Sequence, residues 1–424
     1  MFNSFLEAKT YLHGRKHLGI KPGLGRVKML LQVLDHPEKK INGIHVAGTN
    51  GKGSTINFIK NALVSNNYRV GVFVSPSAVG LREHMFINDT PIDHHTFVEL
   101  LNFMYPAIVD LDEQGDHPTE FEIITVLALL FFADSCDFAL IETGMGGRED
   151  TTNCFHPLLS IITNVSLDHV SFLGNTVDKI AIHKAGILKY KIPAIIGPMS
   201  DKAMKVIQEI AEANKVNLSR FGKEFKISGG KDNYFSWGNQ LYKELDVSLK
   251  MIGRHQHTNA AIAIMAIVKL IELGYLLDID SAVGGVENTR VSGRFELIYH
   301  KPQIFIDGAH NESGVQAFVE TVNSVSMQQK KKHVIFAAFK DKDIGSMLKL
   351  LEENFDKVIL TTFDHPRAAS ITELKKYADS VNFVIRKDWK QEINETLNSS
   401  NFEIDFFVTG SLDFILSVRS FIAK

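Results

Sequence analysis

A glycine-rich turn between a strand and a helix is the feature that most constrains this chain. Residues 43–63 read GIHVAGTNGKGSTINFIKNAL, and the first five of them form an apolar run typical of a strand. From residue 56 onwards apolar side chains recur at helical spacing. The turn between these elements directs backbone N–H groups and a helix N-terminus at one point, which favours a bound anion.

The turn is close to the common phosphate-binding form G-x-x-x-x-G-K-[ST], although Gly53 intervenes between Lys52 and Ser54. Lys52 can reach the β- and γ-phosphate oxygens of a nucleotide, and Ser54 or Thr55 can present a hydroxyl to Mg²⁺. The alternative is a glycine-rich turn with a solvated lysine. Nucleotide binding is the starting hypothesis.

Length and charge narrow the class of protein. At 424 residues the chain is expected to hold two or three domains, and 45% hydrophobic with 22% charged residues is typical of a soluble globular protein. The 46 basic and 49 acidic residues nearly cancel, so neither a nucleic acid nor a membrane surface is predicted as the partner. Two cysteines, Cys136 and Cys154, favour a reducing compartment. No apolar run reaches the ~18 residues of a membrane span, so we expect a cytoplasmic enzyme.

The order of apolar and helical patterns predicts an α/β protein. From residue 1 to about 200 strands alternate with helices, which predicts a parallel sheet with functional loops at its carboxyl edge. Residues 221–250 interrupt this alternation of strands and helices with short segments of alternating polarity, and this pattern predicts a small antiparallel sheet. A second α/β rhythm begins near residue 296. We therefore predict an ATP-binding domain at 1–295, a Rossmann-like domain at 296–424, and a ligand site between them.

Polar residues follow several of the predicted strands. Glu142 ends the run LIE before a glycine-rich turn, where a carboxylate near a phosphate loop would suit Mg²⁺. A solvated acid at a strand end is the alternative. Asp168 and His169 follow another strand, and His169 is as consistent with a loop hydrogen bond as with a metal ligand. Lys184 lies on a predicted helix, where most lysines are simply exposed.

Four further residues lie near the predicted domain junction, and their spacing alone does not decide their roles. They can act as helix caps or salt-bridge partners, or can contact adenine and ribose: Asn259, Arg294, Asp307 and His310.

A set of strings in one order resembles a known family over nearly the whole chain. They are KPGLGR, HVAGTNGKGS, FVSP, EFEIIT, IETGMGGREDTTN, ITNVSLDH, LGNT, IAIHKAGI, SGRFE, DGAHN, FKDKD and VTGSL. The chain resembles folylpolyglutamate synthases and the bifunctional dihydrofolate synthase/folylpolyglutamate synthases, which are relatives of the Mur peptide ligases. GTNGKGS resembles the folate branch, because the Mur branch typically has GKT in that place.

The resemblance implies a Mur ligase-like fold and a role for each matching residue. ATP would be bound by the loop and by three residues near the junction: Thr49, Asn50, Gly51, Lys52, Gly53, Ser54, Asn259, Arg294 and Asp307. Two Mg²⁺ ions would be held by Ser54, Ser75, Glu142, His169 and Lys184, the last carbamylated by CO₂ to N6-carboxylysine. The residues that act in catalysis would be Lys52, Glu142, His169 and Lys184. Folate would contact Phe121 and Asp150, and glutamate would contact His310 and Ser411.

The activity that the resemblance implies is ATP-dependent ligation of L-glutamate to a folate γ-carboxylate, or also to dihydropteroate, by a monomer. One stretch departs from the family: Ser77 stands where relatives commonly have His after SP, with His84 following RE. Because that loop lies on the folate side, it bears on the identity of the pterin substrate and not on the ATP chemistry. Three rival functions are kept. They are a Mur-type ligase with another acceptor, an ATP-dependent regulator or transporter subunit, and a paralogue that binds ATP without forming an amide.

Overall fold

The computed structural model describes residues 1–19, 21–75, 77, 80–231, 233–325, 330–377, 381–398 and 403–423. Three separate sheets organise these residues: one of eight strands, one of three and one of six. No helix in these ranges is both long enough and apolar enough to cross a bilayer. Both cysteines are free thiols.

The eight-stranded sheet is parallel except at one edge. Its spatial order is β4-β3-β2-β5-β1-β6-β7-β8, in which β3 and β4 run antiparallel to their neighbours. The strands are β1 (Gly43–Ala47), β2 (Val70–Phe73), β3 (Met85–Ile87), β4 (Thr90–Pro91), β5 (Phe138–Glu142), β6 (Leu159–Ile162), β7 (Ala194–Ile196) and β8 (Leu218–Arg220). Residues of β1 and β5 are buried throughout, as expected for central parallel strands covered on both faces.

Helices cover both faces of this sheet. They are α1 (Phe5–Gly14), α2 (Gly25–Val33), α3 (Lys52–Val64), α4 (His94–Glu113), α5 (Glu120–Ala133), α6 (Val170–Leu173), α7 (Val177–Ala185), α8 (Asp201–Ala213), α9 (Arg254–Glu272) and α10 (Ile279–Glu287). The apolar run that the sequence predicts to be a buried helix is α5, which begins with a capping box of Thr119 and Glu122. Arg26 of α2 pairs with the buried Glu122 at 2.9 Å, so the charge there is neutralised.

The predicted antiparallel addition is present as a separate three-stranded sheet. It consists of β9 (Phe225–Lys231), β10 (Tyr234–Asn239) and β11 (Leu245–Ser248) in the order β11-β10-β9. Trp237 of β10 is fully buried, and its indole N–H donates to the Ala261 carbonyl of α9 at 3.1 Å. The addition therefore extends the core that α9 shares with the eight-stranded sheet.

The last sheet has the order β12-β13-β17-β14-β15-β16 and is parallel except for β12. Its strands are β12 (Glu296–His300), β13 (Gln303–Ile306), β14 (Lys331–Phe336), β15 (Lys357–Leu360), β16 (Phe383–Ile385) and β17 (Ile404–Thr409). Its helices are α11 (Glu312–Val325), α12 (Ile344–Asn354), α13 (Ile371–Leu374), α14 (Trp389–Leu397) and α15 (Leu412–Ile422). Apolar clusters lie on both of its faces.

The predicted fold class is confirmed, with corrections in detail. The first series of alternating strands and helices continues through α8 to Arg220, whereas the sequence predicts that it ends near residue 200. The strands β3, β4, β8 and β12 are absent from the prediction. The first three have only two or three residues each, which is too short for an alternating pattern to be seen. We call the residues up to Glu287 the first lobe and those from Gly293 the C-terminal lobe; a domain boundary at 295/296 stays a prediction.

Candidate active site

The phosphate loop takes the conformation that its glycines allow. Gly51 has φ +82° at the start of α3, a left-handed conformation that favours glycine. A Cβ on Gly51 would overlap the side-chain oxygen of Asn259, so the loop and α9 are in close contact. Lys52 folds back over the loop, and its Nζ donates to the carbonyls of Gly48 at 3.1 Å and Thr49 at 3.4 Å. The structure thus brings Asn259 beside the loop that the sequence singles out.

A second loop, after β6, fixes the shape of the first. The Thr49 N–H donates to the Asn164 carbonyl at 3.2 Å, and the Asn50 N–H donates to the Asn164 side chain at 3.0 Å. The Thr163 hydroxyl donates to the Asn50 carbonyl at 2.6 Å. A Cβ on Gly48 would overlap this hydroxyl, so only glycine fits at position 48. The loop is therefore held in shape by neighbouring groups before any ligand arrives, as an effective anion site requires.

Glu142 lies at the end of β5, opposite Val46 of β1, and is only 7% exposed. Its carboxylate is 3.9 Å from Lys52 Nζ. Burial raises its pKa, while the charges of Lys52 and Arg294 and the Ser75 backbone N–H act in the opposite direction. A carboxylate that is desolvated and close to cationic groups can bind a cation or a proton, and it is not hydrated by bulk solvent. The interpretation of Glu142 as a solvated acid is wrong.

Residues with hydroxyl groups lie on both segments that approach Glu142, which are the start of α3 and the loop after β2. Ser54 is 2% exposed at the start of α3, the Thr55 hydroxyl is buried without a hydrogen-bond partner, and Ser75 is half-buried. Within the described ranges, no three His, Cys, Asp or Glu side chains converge closely enough to hold a metal ion. A cation bound here would therefore also need oxygen ligands from hydroxyl groups and from the phosphates. Such a set of oxygen ligands suits Mg²⁺.

Lys184 is buried, which corrects the interpretation of it as an exposed lysine. It lies in the last turn of α7 and is 3% exposed, and its Nζ donates no hydrogen bond to any part of the chain that the structure describes. Burial, with the charge of Lys52, lowers its pKa to about 7, although Asp168 and Asp150 attract the charged form. An amine in this environment is largely neutral near physiological pH, and a neutral amine is nucleophilic.

His169 has φ +49° and directly precedes α6. Burial lowers its pKa to about 4; Asp168 opposes this, whereas Lys342, Lys52 and Lys184 reinforce it. The imidazole is therefore neutral at physiological pH, the form in which a histidine can bind a metal. Lys52 and Lys184 of the first lobe are thus both close enough for their charges to act on His169.

The C-terminal lobe contributes two of the predicted residues. Asp307 is buried, and its carboxylate accepts the N–H groups of Phe295 and Ala309, each at 2.9 Å. Burial raises its pKa, and Arg294 opposes this. The Arg294 guanidinium lies against Gly308, but among the described residues it has neither an ion pair within 4.0 Å nor a side-chain hydrogen bond. This guanidinium, which has no ion-pair partner among the described residues, is close enough for its charge to act on both Asp307 and Glu142.

His310 and Ser411 lie at the carboxyl edge of the same sheet. His310 Nδ1 donates to the Gly308 carbonyl at 2.9 Å, and burial with the charge of Lys342 lowers its pKa to about 4. Ser411 precedes α15 and is 1% exposed, and its buried hydroxyl has no hydrogen-bond partner among the described residues. A buried hydroxyl without a partner at a helix N-terminus is available to a polar ligand.

The two residues expected to contact folate lie together at the glycine-rich turn that follows Glu142. The Asp150 carboxylate accepts the Met145 N–H at 2.6 Å and both the N–H and the hydroxyl of Thr152, and so orders the glycine-rich turn. A Cβ on Gly144 would lie 2.9 Å from the Phe121 ring and 3.3 Å from the Asp150 carboxylate. Of the departing stretch after SP, Ala78 and Val79 lie outside the described residues.

Sequence reasoning gave no role to three residues that the structure places here. Asn311 follows His310 in DGAHN, Lys342 belongs to FKDKD, and Ser313 opens α11. All three contact the loops around residues 50 and 168. Their motifs are visible in the sequence. However, the packing of the two lobes determines which polar side chains of one lobe contact the other.

Comparison with known proteins agrees with this geometry. The model of the Mur ligase middle domain matches residues 46–267, and that of the Mur ligase glutamate ligase domain matches residues 293–410. The chain is 38% identical to the dihydrofolate synthase/folylpolyglutamate synthase of Bacillus subtilis, with 99% of each chain covered. It is 30% identical to the folylpolyglutamate synthase of Lacticaseibacillus casei, with 98% of each covered.

Solved structures show the same relationship. Mycobacterium tuberculosis folylpolyglutamate synthase complexed with ADP and AMPPCP superposes with a TM-score of 0.88 at 26% identity, covering 99% of this chain and 98% of that one. The folylpolyglutamate synthase of Thermotoga maritima superposes with a TM-score of 0.83 at 30% identity, covering 99% and 97%. The resemblance seen in the sequence motifs is thereby confirmed, and the chain belongs to the Mur ligase family, in the folylpolyglutamate synthase/dihydrofolate synthase group.

Proposed function

We propose that this protein ligates L-glutamate to the γ-carboxylate of a tetrahydrofolate with ATP, and that dihydropteroate is a second acceptor. One observation carries the proposal: buried Glu142 lies beside Lys52 of the phosphate loop and is also acted on by the charge of Arg294, which has no ion-pair partner among the described residues. The arrangement combines phosphate binding with positive charge from two lobes, as phosphoryl transfer requires. The names of the relatives supply the acceptor.

The reaction proceeds in two steps. The acceptor carboxylate attacks the γ-phosphorus of ATP, ADP leaves, and an acyl phosphate forms. The glutamate amine then attacks the acyl carbon, phosphate leaves with the electron pair of the cleaved C–O bond, and the amine loses a proton. Lys52 and the backbone N–H groups at the start of α3 stabilise negative charge on the transferring phosphoryl. Arg294 would approach the same charge from the C-terminal lobe.

Mg²⁺ fits the oxygen groups around Glu142. Glu142, Ser54 and Ser75 would hold one ion, and His169 with a carbamylated Lys184 would hold a second. When bound, the ions would neutralise charge on the β- and γ-phosphates. Two features of Lys184 support the carbamate: its deep burial and the lack of a hydrogen-bond partner among the described residues. Carbamylation by CO₂ turns this lysine into an anion, which the neighbouring Lys52 would stabilise.

ATP would extend from the phosphate loop along the C-terminal lobe. The loop residues Thr49, Asn50, Gly51, Lys52, Gly53 and Ser54 would bind phosphates, with Asn259 packed behind Gly51. Asp307 and Arg294 would contact the nucleotide from the other lobe. Because Asp307 is fixed by two backbone N–H groups, its carboxylate has a defined orientation toward a ribose hydroxyl or an amine.

The folate acceptor and the incoming glutamate would bind on opposite sides of the phosphates. Phe121 and Asp150 flank Gly144 and offer an aromatic face beside a carboxylate, which suits a planar heterocycle carrying N–H donors. His310 and the free hydroxyl of Ser411 at the start of α15 would bind the incoming glutamate. A monomer and a cytoplasmic location stay predictions.

The direct test is glutamate-dependent phosphate release from Mg-ATP, run with tetrahydrofolate and with dihydropteroate, while product mass is followed. We expect a product heavier by one glutamyl residue from tetrahydrofolate, and abolition of this product in Lys52→Met. Lys205→Met, at an exposed position of α8, serves as the matched control and should retain full activity. Phosphate release that does not depend on glutamate, or ligation only to Mur-type acceptors, would refute the proposal.

A further inference from the structure

A fully buried histidine lies in the central strand of the first lobe, and the proposed reaction gives it no role. His45 is the middle residue of β1 and is 0% exposed, with Ile141 of β5 and Ser160 of β6 as its neighbours in the sheet. Its ring packs against Phe155, with the ring centroids 5.0 Å apart. Burial, with the charge of Lys189, lowers the pKa of His45 to about 3, so the imidazole is neutral at physiological pH. A polar ring in such a core costs free energy unless it is hydrogen-bonded, so its contacts indicate its role.

One ring nitrogen of His45 is connected to a carboxylate through a hydroxyl. His45 Nε2 lies 2.9 Å from the Thr152 hydroxyl, and this hydroxyl donates to Asp150 Oδ1 at 2.6 Å. Because a hydroxyl has one proton and Thr152 gives it to Asp150, Thr152 can only accept from His45. We call these three residues the buried link.

The second ring nitrogen supports the same direction of hydrogen bonding. His45 Nδ1 is buried and has no hydrogen-bond partner among the described residues. A buried N–H without an acceptor is rarer in proteins than a buried lone pair without a donor, so the proton belongs on Nε2. The imidazole is therefore a fixed donor at one end of the buried link, and the carboxylate is the acceptor at the other end.

The Asp150 carboxylate is held at both of its oxygens. Oδ1 accepts the N–H and the hydroxyl of Thr152, at 3.0 Å and 2.6 Å, and Oδ2 accepts the Met145 N–H at 2.6 Å. Burial raises the pKa of Asp150, whereas these donors and the Gly144 N–H favour its ionised form. Successive hydrogen bonds polarise one another, so loss of the donor at His45 would weaken the contact of Thr152 with Oδ1.

The other end of the glycine-rich turn is held by separate contacts. The Arg148 N–H donates to the His183 carbonyl at 2.7 Å. The Asn153 side chain donates to the carbonyls of Arg148 at 3.0 Å and of Gly186 at 3.1 Å. Because none of these contacts involves the histidine, its loss should loosen the carboxylate end of the turn and leave the end near α7 in place.

We propose that His45 is a positioning residue, which acts through Thr152 to fix Asp150 in the orientation in which the folate or dihydropteroate acceptor binds. This inference rests on the proposed function, which places the acceptor beside Phe121 and Asp150. His45 does not touch the acceptor. It increases acceptor affinity because a carboxylate that is already ordered loses little further freedom when a ligand binds. The phosphate loop is held by the loop after β6, so nucleotide binding should not depend on His45.

The test compares variants that remove the donor or the hydroxyl with variants that keep it. His45→Phe keeps a ring without the N–H, and Thr152→Val removes the hydroxyl. Each should raise KM for tetrahydrofolate and for dihydropteroate by about 10-fold. His45→Gln carries an amide N–H at the distance of Nε2, and Thr152→Ser keeps the hydroxyl, so both should stay within about 3-fold of wild type. In all four variants kcat and the Kd for Mg-AMPPCP should change by less than about 3-fold.

Ile44→Val is the matched control for a general loss of stability. Ile44 is the neighbouring position of β1, is also fully buried, and points to the other face of the sheet. This variant should unfold at a lower temperature than wild type and keep both KM values.

NMR of protein labelled with ¹⁵N in histidine gives a readout that does not need catalysis. The His45 signals are those that disappear in His45→Gln. In wild type we expect a protonated Nε2 and an unprotonated Nδ1 that do not titrate near physiological pH, and Thr152→Val should shift the Nε2–H signal because its acceptor is lost. If wild type forms no glutamyl product with either acceptor, the proposed function fails. The ¹⁵N signals and calorimetric affinities for the two acceptors then still test the role of His45.

Three results would overturn the inference. Unchanged KM values in His45→Phe and Thr152→Val would show that the histidine only stabilises the core. Equal increases of KM in His45→Gln and His45→Phe would show that the shape of the ring matters, and not its N–H. A proton on Nδ1 in wild type would show that Thr152 donates to His45, and the buried link would then not reach Asp150.

Discussion

Lys184 provides the sharpest test of the site, because its proposed role depends on a reaction with CO₂. Only a neutral amine attacks CO₂. An exposed lysine is almost entirely protonated at neutral pH, whereas burial and the nearby charge of Lys52 lower the pKa of Lys184 to about 7. We expect wild-type enzyme in CO₂-depleted buffer to lose activity and to regain it when bicarbonate is added.

The magnitude follows from the two pKa values. At pH 7.5 an amine with a pKa of about 7 is roughly 75% neutral, whereas an ordinary lysine is about 0.1% neutral. The reactive form is thus enriched roughly 700-fold. The pKa is depressed, so the neutral form is lost as pH falls through 7. At pH 6 only about 10% remains neutral, and reactivation by bicarbonate should be about 8-fold slower than at pH 7.5 at equal dissolved CO₂.

The assay combines activity with direct detection of the modification. Enzyme exchanged into argon-sparged buffer is assayed for product, then incubated with ¹³C-bicarbonate and examined by ¹³C NMR for a carbamate carbonyl. Lys184→Met should lack this resonance and should lose about 100-fold or more in kcat, the loss typical of removing one preorganised electrostatic contact. Lys179→Met, at an exposed position of the same helix, should match wild type in both readouts.

Two outcomes would refute this reasoning. The first is full activity in Lys184→Met. The second is wild-type enzyme that shows no ¹³C label and no response to CO₂, which would leave Lys184 as a buried amine with another role.

Three other predictions follow from packing and charge. Gly51→Ala places a Cβ against Asn259 at φ +82°, a backbone conformation that costs about 1–2 kcal/mol for alanine. Calorimetry should therefore show that AMPPCP binds about 10-fold more weakly, and an unchanged affinity would contradict this. Arg294→Lys keeps the charge but loses the planar fork, so kcat should fall by about 10-fold to 100-fold in steady-state assays; an unaltered kcat would exclude a phosphate contact. Trp237→Ala should lower the free energy of unfolding by about 3–5 kcal/mol in urea titrations, with AMPPCP affinity retained; a smaller loss would mean that the antiparallel sheet contributes little to the core.

Local sequence was sufficient to predict most of the helices and strands and the phosphate loop. The strand-turn-helix at residues 43–63, the buried helix Glu120–Ala133 and the antiparallel addition each show their own periodicity or turn residues, which depend only on neighbours in the chain. Motif order alone indicated the family. Three of the shortest strands, Thr90–Pro91 among them, were missed because their pairing partners, and not their own pattern, define them.

The roles of charged side chains needed the tertiary structure. In the sequence, Lys184 and Lys342 are two lysines among 46 basic residues. Folding buries Lys184 without a hydrogen-bond partner in the described part of the chain, and it places Lys342 on Asp168, 174 positions away. Desolvation and pairing depend on which surfaces meet, and those surfaces belong to elements far apart in the chain. The sequence by itself therefore determined the family, the strand-turn-helix and the chemistry available, whereas only the packing of the two lobes decided which charges are buried and which residues face one another.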